Sequence, residues 1–124
     1  MLQSADELTK TVIGCAYEVS NTLGAGFLEK VYENALAVEL RNKGLQTAQQ
    51  VPFKITYKGV VVGDYFADLI VEDQVLVEIK VARSFDKAHM AQCLNYLTAA
   101  NLTLGLLFNF AKSRVEVQRV VKGF

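Results

Sequence analysis

Three residues of chemically useful type lie close together in mid-chain: Asp68, Glu78 and Lys80. Paired carboxylates can hold a divalent cation, and a lysine beside them can orient a nucleophile or stabilise charge at a phosphoryl group. Whether they can act together depends on strand parity. Along residues 75–81, Leu76, Glu78 and Lys80 share one face, and Val75, Val77, Ile79 and Val81 share the other, because strand side chains alternate with period two. On the preceding strand, the same parity groups Val62, Phe66 and Ile70 with Asp64 and Asp68, and sets Tyr65, Ala67, Leu69 and Val71 opposite. A strand apolar on both faces is usually central and covered on both sides. Asp68, between Phe66 and Ile70, is therefore expected to be partly buried, which is costly for a carboxylate without a partner.

The loop between the strands decides the register. If Glu72-Asp73-Gln74 form a three-residue loop, Val71 opposes Val75 and Asp68 opposes Glu78, with Cβ atoms roughly 4.5–5.5 Å apart. A two-residue loop would put the carboxylates on opposite faces. Two anions that close repel unless a cation lies between them, and Mg²⁺ held by one or two carboxylates plus water suits the spacing. Lys80 reaches the same point from the same face. A plain salt-bridge ladder on a solvated sheet face is the competing reading of the same residues.

Other candidates lie on helices. Gly26 to Tyr32 has the form G-x-x-E-x-x-Y, which puts Glu29 and Tyr32 three apart on one helical face. Glu29 is equally suited to a plain helix-start acid that complements the dipole. Gln92 and Tyr96 form a Q-x-x-x-Y pair, able to offer an amide and a phenol to one ligand or simply to decorate a surface. His89, three residues before Gln92, reads mainly as a partly exposed helix residue.

The elements that would position these groups follow from periodicity. Helical spacing runs over residues 8–23, is broken by Gly24-Ala25-Gly26, and resumes over 27–43 with Gly44 placed to end it. Strand patterns cover 51–57, 60–71 and 75–81, with Lys58-Gly59 as a turn. Ser84 is an N-cap candidate for a helix over 85–100, and two more strands fall at 102–110 and 115–121. The order α-α-β-β-β-α-β-β predicts an α/β fold, a mixed central sheet flanked by helices, in a single domain spanning 1–124. Hydrophobic residues make up 52% of the chain and charged residues 21%, which favours a packed globule over disorder. Formal net charge is zero, so no global basic field draws in nucleic acid. Local charge from Lys80, Arg83, Lys87, Arg114 and Arg119 would have to serve if those residues gather at one cleft. Cys15 and Cys93 read as reduced core thiols of a cytoplasmic protein. Residues 1–10 lack a signal-peptide pattern and no apolar run is long enough to span a membrane.

Taken together, these motifs resemble the GxxExxY protein family of the PD-(D/E)xK nuclease superfamily. The resemblance rests on Leu23 to Glu33, Asp68-Leu69-Ile70-Val71, Val77-Glu78-Ile79-Lys80, Gln92 to Tyr96 and Gly105 to Phe110, in that order along essentially the whole chain. It implies a restriction-endonuclease-like core and a Mg²⁺- or Mn²⁺-dependent nuclease acting on nucleic acid, with DNA the first expectation. Asp68, Glu78 and Glu29 would match the metal ligands, and Lys80 the catalytic lysine. Gln92 and Tyr96 are similar to the substrate-binding helix motif of RecB-like nucleases. Ser20 stands where a histidine is common in the family. A catalytically silent nucleic-acid-binding relative and a protein-interaction domain that keeps the fold are the alternatives, and a homodimer is compatible with each.

Overall fold

The computed structural model describes residues 4–123. Two helices come first, α1 (Ala5–Leu23) and α2 (Glu29–Asn42). They are followed by strands β1 (Thr47–Tyr57), β2 (Val60–Val71) and β3 (Val75–Lys80), helix α3 (Lys87–Ala100), and strands β4 (Leu104–Asn109) and β5 (Glu116–Val121). The element order is the one that the periodicity predicts. The five strands form one sheet in the order β1-β2-β3-β4-β5. Only β3 and β4 run parallel, and α3 makes the crossover between them, because parallel neighbours cannot be joined by a tight turn.

Local chemistry explains the boundaries. Ser4 caps α1, its hydroxyl accepting from the Glu7 N–H at 3.2 Å, with Asp6 and Glu7 in the dipole's favoured first turn. Gly24, at φ +68°, ends the helix by donating its N–H to the Ser20 carbonyl. The cap of α3 is Asp86 rather than Ser84. Asp86 Oδ1 accepts from the His89 N–H at 2.9 Å, and His89 Nδ1 accepts from the Asp86 N–H at 3.3 Å. This reciprocal box satisfies two helix-end donors where a serine two residues earlier would satisfy neither, and it gives His89 a structural role. Pro52 lacks a ladder donor and sits on β1, an edge strand where that loss is tolerated.

Two apolar layers sandwich the sheet. On one side, Leu8, Val12, Ala16 and Val19 of α1 and Tyr32, Leu36 and Leu40 of α2 pack on Leu69, Val71, Val77, Ile79, Leu106 and Phe108. On the other, Cys93 and Leu97 of α3 pack on Tyr65, Ala67, Ile70, Leu76 and Leu107. Both cysteines are free and buried. Each fully buried Leu or Val contributes roughly 1.5–3 kcal/mol, so the two layers supply most of the driving force.

Strict alternation along β2 does not hold. Tyr65 and Ala67 face the α3 layer, yet Leu69 and Val71 face the α1–α2 layer, and Ile70 joins Tyr65 and Ala67. The faces therefore exchange at Asp68. On the neighbouring strand, Gln49 reaches α2 while Val51, Phe53 and Ile55 pack toward α3. The exchange there falls at Gln50, whose φ of +51° lies in the left-handed region. Beyond this point the β1–β2 ribbon is largely solvated, with Val60, Val61, Val62 and Phe66 exposed. The expected burial of Phe66 beside Asp68 is thus replaced by an open ribbon.

Candidate active site

The β2–β3 turn has the expected length. Val71 opposes Val75, Ile70 opposes Leu76 and Leu69 opposes Val77, with Glu72-Asp73-Gln74 as the loop. Glu72 and Asp73 both adopt φ of +53°, and the Gln74 N–H donates to the Val71 carbonyl at 3.0 Å. Two positive-φ residues give the turn a twist that matches a hairpin.

The paired ladder ends at Leu69 and Val77, one residue short of the carboxylates. There, side chains take over from backbone. Asp68 Oδ2 accepts the Ile79 N–H at 2.8 Å, and Glu78 Oε1 accepts the Asp68 N–H at 3.3 Å. Two amide donors freed by the parting strands are thus satisfied by the two acids, which holds both carboxylates at the fork. Tyr65 completes the clamp. Its hydroxyl donates to Glu78 Oε1, and its ring stacks on Tyr96 of α3. Burial first, and the Glu78 charge second, raise the Tyr65 hydroxyl well above the usual phenol range, so it stays a donor.

The electrostatics show crowded anions. Glu78 is 5% exposed, and its carboxyl is pushed up to about 7, chiefly by burial and next by the neighbouring Asp68. The Tyr65 hydroxyl, the Asp68 N–H and the Lys80 ammonium pull it back down. Burial likewise raises the Asp68 carboxyl, with Glu33 adding to the rise, against the Ile79 N–H, the Gln50 amide and Lys80. Lys80 is half-buried at the end of β3, opposite Asn109. Asn109 pins that end of the strand: fully buried, it accepts the Ala82 and Ala111 N–H groups and donates to the Ala82 carbonyl at 2.7 Å.

The helical carboxylate that reaches this group is Glu33. Glu29 is exposed in the first turn of α2, whereas Glu33, one turn on, is 4% exposed. Glu33 receives Lys30 Nζ at 3.1 Å, Gln49 Nε2 at 2.8 Å and Gln50 Nε2 at 2.8 Å. The same Gln50 amide donates to Asp68 Oδ1 at 3.2 Å. A signal for Glu33 was present in the sequence, since it falls on the stripe of Leu36, Ala37 and Leu40 at helical spacing. Tyr32, the other motif residue, is structural: its hydroxyl donates to the Gly24 carbonyl at 2.7 Å and its ring stacks on Phe110.

On α3, Gln92 is exposed and lies at the Tyr96 hydroxyl. The Tyr96 hydroxyl is raised by burial and then by the charges of Glu78 and Asp68, which places it within their electrostatic reach. Arg83 and Lys87 are exposed just beyond β3. Arg114 and Arg119 turn elsewhere, over the Tyr17 ring and toward Asp6 of α1, so the five basic residues do not gather at one cleft. Ser20 is also remote in role. Its hydroxyl donates to the Ser113 carbonyl at 3.0 Å and accepts the Val115 N–H at 2.9 Å, tying α1 to the β4–β5 loop.

Among the described residues, no three His, Cys, Asp or Glu side chains close up as a ready-made metal cage. The donor set nevertheless fits a hard cation. Asp68 and Glu78 offer carboxylate oxygens beyond those engaged by backbone, and Mg²⁺ is commonly held by one or two carboxylates plus water.

A PD-(D/E)XK nuclease superfamily model matches residues 6–120. The chain belongs to that superfamily. The crystal structure of SSO0001 superposes with a TM-score of 0.58 at 20% identity, over 77% of this chain and 50% of that one. At that identity the likeness speaks for the fold alone, and this chain spans about half the length of that structure. No curated protein matches the sequence. The mixed sheet flanked by helices, in the order observed, is consistent with the superfamily, and no described helix is long and apolar enough to cross a membrane.

Proposed function

We infer that the chain is a metal-dependent DNA nuclease of the GxxExxY type, with Asp68, Glu78 and Lys80 at its catalytic centre. The observation that carries this reading is the strand fork. The Asp68 carboxylate is fixed there by the Ile79 N–H and that of Glu78 by the Asp68 N–H, both are raised by burial and by a neighbouring acid (Glu33 for Asp68, Asp68 for Glu78), and Lys80 follows on the same strand. Such a pair is poorly suited to a bland salt-bridge ladder, because no cation within the described chain forms an ion pair with either acid.

Asp68 and Glu78 would hold a Mg²⁺ or Mn²⁺ ion, with Glu33 rather than Glu29 as the helical acid near enough to complete its surroundings. When bound, that ion supplies Lewis acidity toward the phosphate and neutralises charge there. Tyr65 keeps Glu78 oriented by donating to Oε1. Lys80 places its ammonium beside the scissile phosphate, where it orients the nucleophile or offsets the developing negative charge. Tyr96 and Gln92 line the α3 side and position the strand. Arg83 and Lys87 extend positive charge along the path leaving β3.

The test is cleavage of single- and double-stranded DNA in the presence of Mg²⁺ or Mn²⁺, with EDTA and the variants Asp68→Ala, Glu78→Ala and Lys80→Ala as controls. Divalent-dependent cutting lost in all three variants supports the reading. Salt-sensitive binding of DNA without cutting by wild-type protein would favour a silent relative instead, a reading to which the zero net charge lends weight.

A further inference from the structure

Gln50 is an unexpected residue at the centre of the site. It lies level with Asp68 in the antiparallel β1–β2 register, between the pairs Gln49–Leu69 and Val51–Ala67. Its backbone sits at φ +51°, a region that glutamine seldom adopts and that costs on the order of 1 kcal/mol or more. The strain has a visible result. The turn in the strand sends the side chain between two carboxylates, where one Nε2 group donates to Glu33 Oε1 at 2.8 Å and to Asp68 Oδ1 at 3.2 Å. An amide with two N–H bonds aimed at two anions fills the electrostatic role of a small cation. It is also the only described hydrogen bond to Asp68 Oδ1, the oxygen left over after Oδ2 takes the Ile79 N–H. Gln49, its neighbour, reaches Glu33 and Asn34 but not Asp68.

We propose that Gln50 is a positioning residue that acts as a surrogate cation, tethering Asp68 to Glu33 in the metal-free protein and yielding Asp68 Oδ1 when a divalent ion binds. The inference rests on the reading of Asp68 and Glu78 as metal ligands. The tether lowers repulsion between the carboxylates, which keeps the fork intact without metal. It also competes with the ion for one oxygen, so it trades metal affinity for stability of the empty site. Gln50 acts through Asp68.

Two variants separate these effects. Gln50→Asn suits the left-handed backbone, since asparagine tolerates positive φ, but its shorter amide cannot span both acids. Gln50→Ala removes the amide altogether. Gln49→Ala is the control, since it weakens the hold on Glu33 and leaves Asp68 untouched. Mn²⁺ binding to the full chain is measured by titration calorimetry, alongside melting temperature in EDTA, with Asp68→Ala to locate the binding. Gln50→Asn is expected to bind Mn²⁺ on the order of three- to tenfold more tightly than wild type, as loss of one charge-assisted hydrogen bond would allow. Gln50→Ala should do the same if it folds, and should melt lower in EDTA. Gln49→Ala should melt lower and should not tighten Mn²⁺ binding, because Asp68 Oδ1 keeps its tether to Gln50. A merely structural glutamine would move the melting temperature without tightening Mn²⁺ binding. Equal or weaker Mn²⁺ binding by Gln50→Asn, with wild-type binding that depends on Asp68, would overturn the tether and leave the metal site standing. No Mn²⁺ binding by wild type or any variant would overturn both.

Discussion

Replacing Glu78 with glutamine should make the metal-free protein more stable in mild alkali, although it removes a residue of the proposed catalytic centre. Glu78 is buried beside Asp68, and its carboxyl lies at about 7 in the folded chain against an ordinary 4.5. The native state therefore holds a proton that the unfolded chain releases. For a folded pKa above the unfolded one, the group's contribution is fully present below about 4.5 and is lost as pH rises through 7. A shift of this size corresponds to about 3 kcal/mol. Glutamine cannot ionise, keeps an oxygen for the Tyr65 hydroxyl and the Asp68 N–H, and sets no charge beside Asp68. Wild-type protein in EDTA should thus lose about 3 kcal/mol of this contribution between pH 4.5 and 8.5, and Glu78→Gln should not. At pH 8.5 the variant should be the more stable by about 2 kcal/mol, allowing for imperfect amide contacts, or several degrees in melting temperature. Urea titrations at pH 5, 7 and 8.5 provide the assay. The difference between the two proteins isolates Glu78 from other titrating groups. A variant that is less stable than wild type at every pH, or a gap that does not widen as pH rises, would refute the reasoning.

Other outcomes follow from the same geometry. Lys80→Ala should lower cleavage on the order of hundreds-fold while leaving Mn²⁺ affinity nearly intact, since the proposed mechanism sets the ammonium at the phosphate; titration calorimetry beside a cleavage assay separates the two. Asn109→Ala should cost about 2–4 kcal/mol in urea melts, because its buried amide serves two N–H groups and one carbonyl that would be left without partners. Gly105→Val should destabilise by roughly 1–3 kcal/mol, since even a Cβ at that position would meet Cys93 Sγ at 2.9 Å and the α3 layer would have to move. Glu33→Gln should weaken Mn²⁺ binding and cleavage, whereas Glu29→Gln should change both less than about twofold, as expected for an exposed acid.

The element order and the β2–β3 register were legible because they depend on local signals. Loop length alone sets Val71 against Val75, and periodicity alone separates α1 and α2 from the strands. The exchange of faces at Asp68 was not legible. It coincides with a left-handed backbone at Gln50 on the neighbouring strand, and glutamine carries no marker for that conformation as glycine or asparagine would. Parity therefore placed Tyr65 on the wrong side of the sheet and missed its hydrogen bond to Glu78. The choice between Glu29 and Glu33 was similarly hidden. The two acids lie one turn apart on α2, and only the docking of β1, with Gln49 and Gln50 reaching across, shows which of them is buried. Ser84 and Asp86 are both good capping residues, and His89 three residues after Asp86 decides between them by closing the box.

The most direct test of the central claim is anomalous diffraction from crystals soaked in Mn²⁺. The expected result is a peak in contact with the carboxylates of both Asp68 and Glu78, absent from Asp68→Ala crystals treated alike. Saturating Mn²⁺ that leaves the strand fork empty, or that binds only at acids away from Asp68 and Glu78, would contradict it.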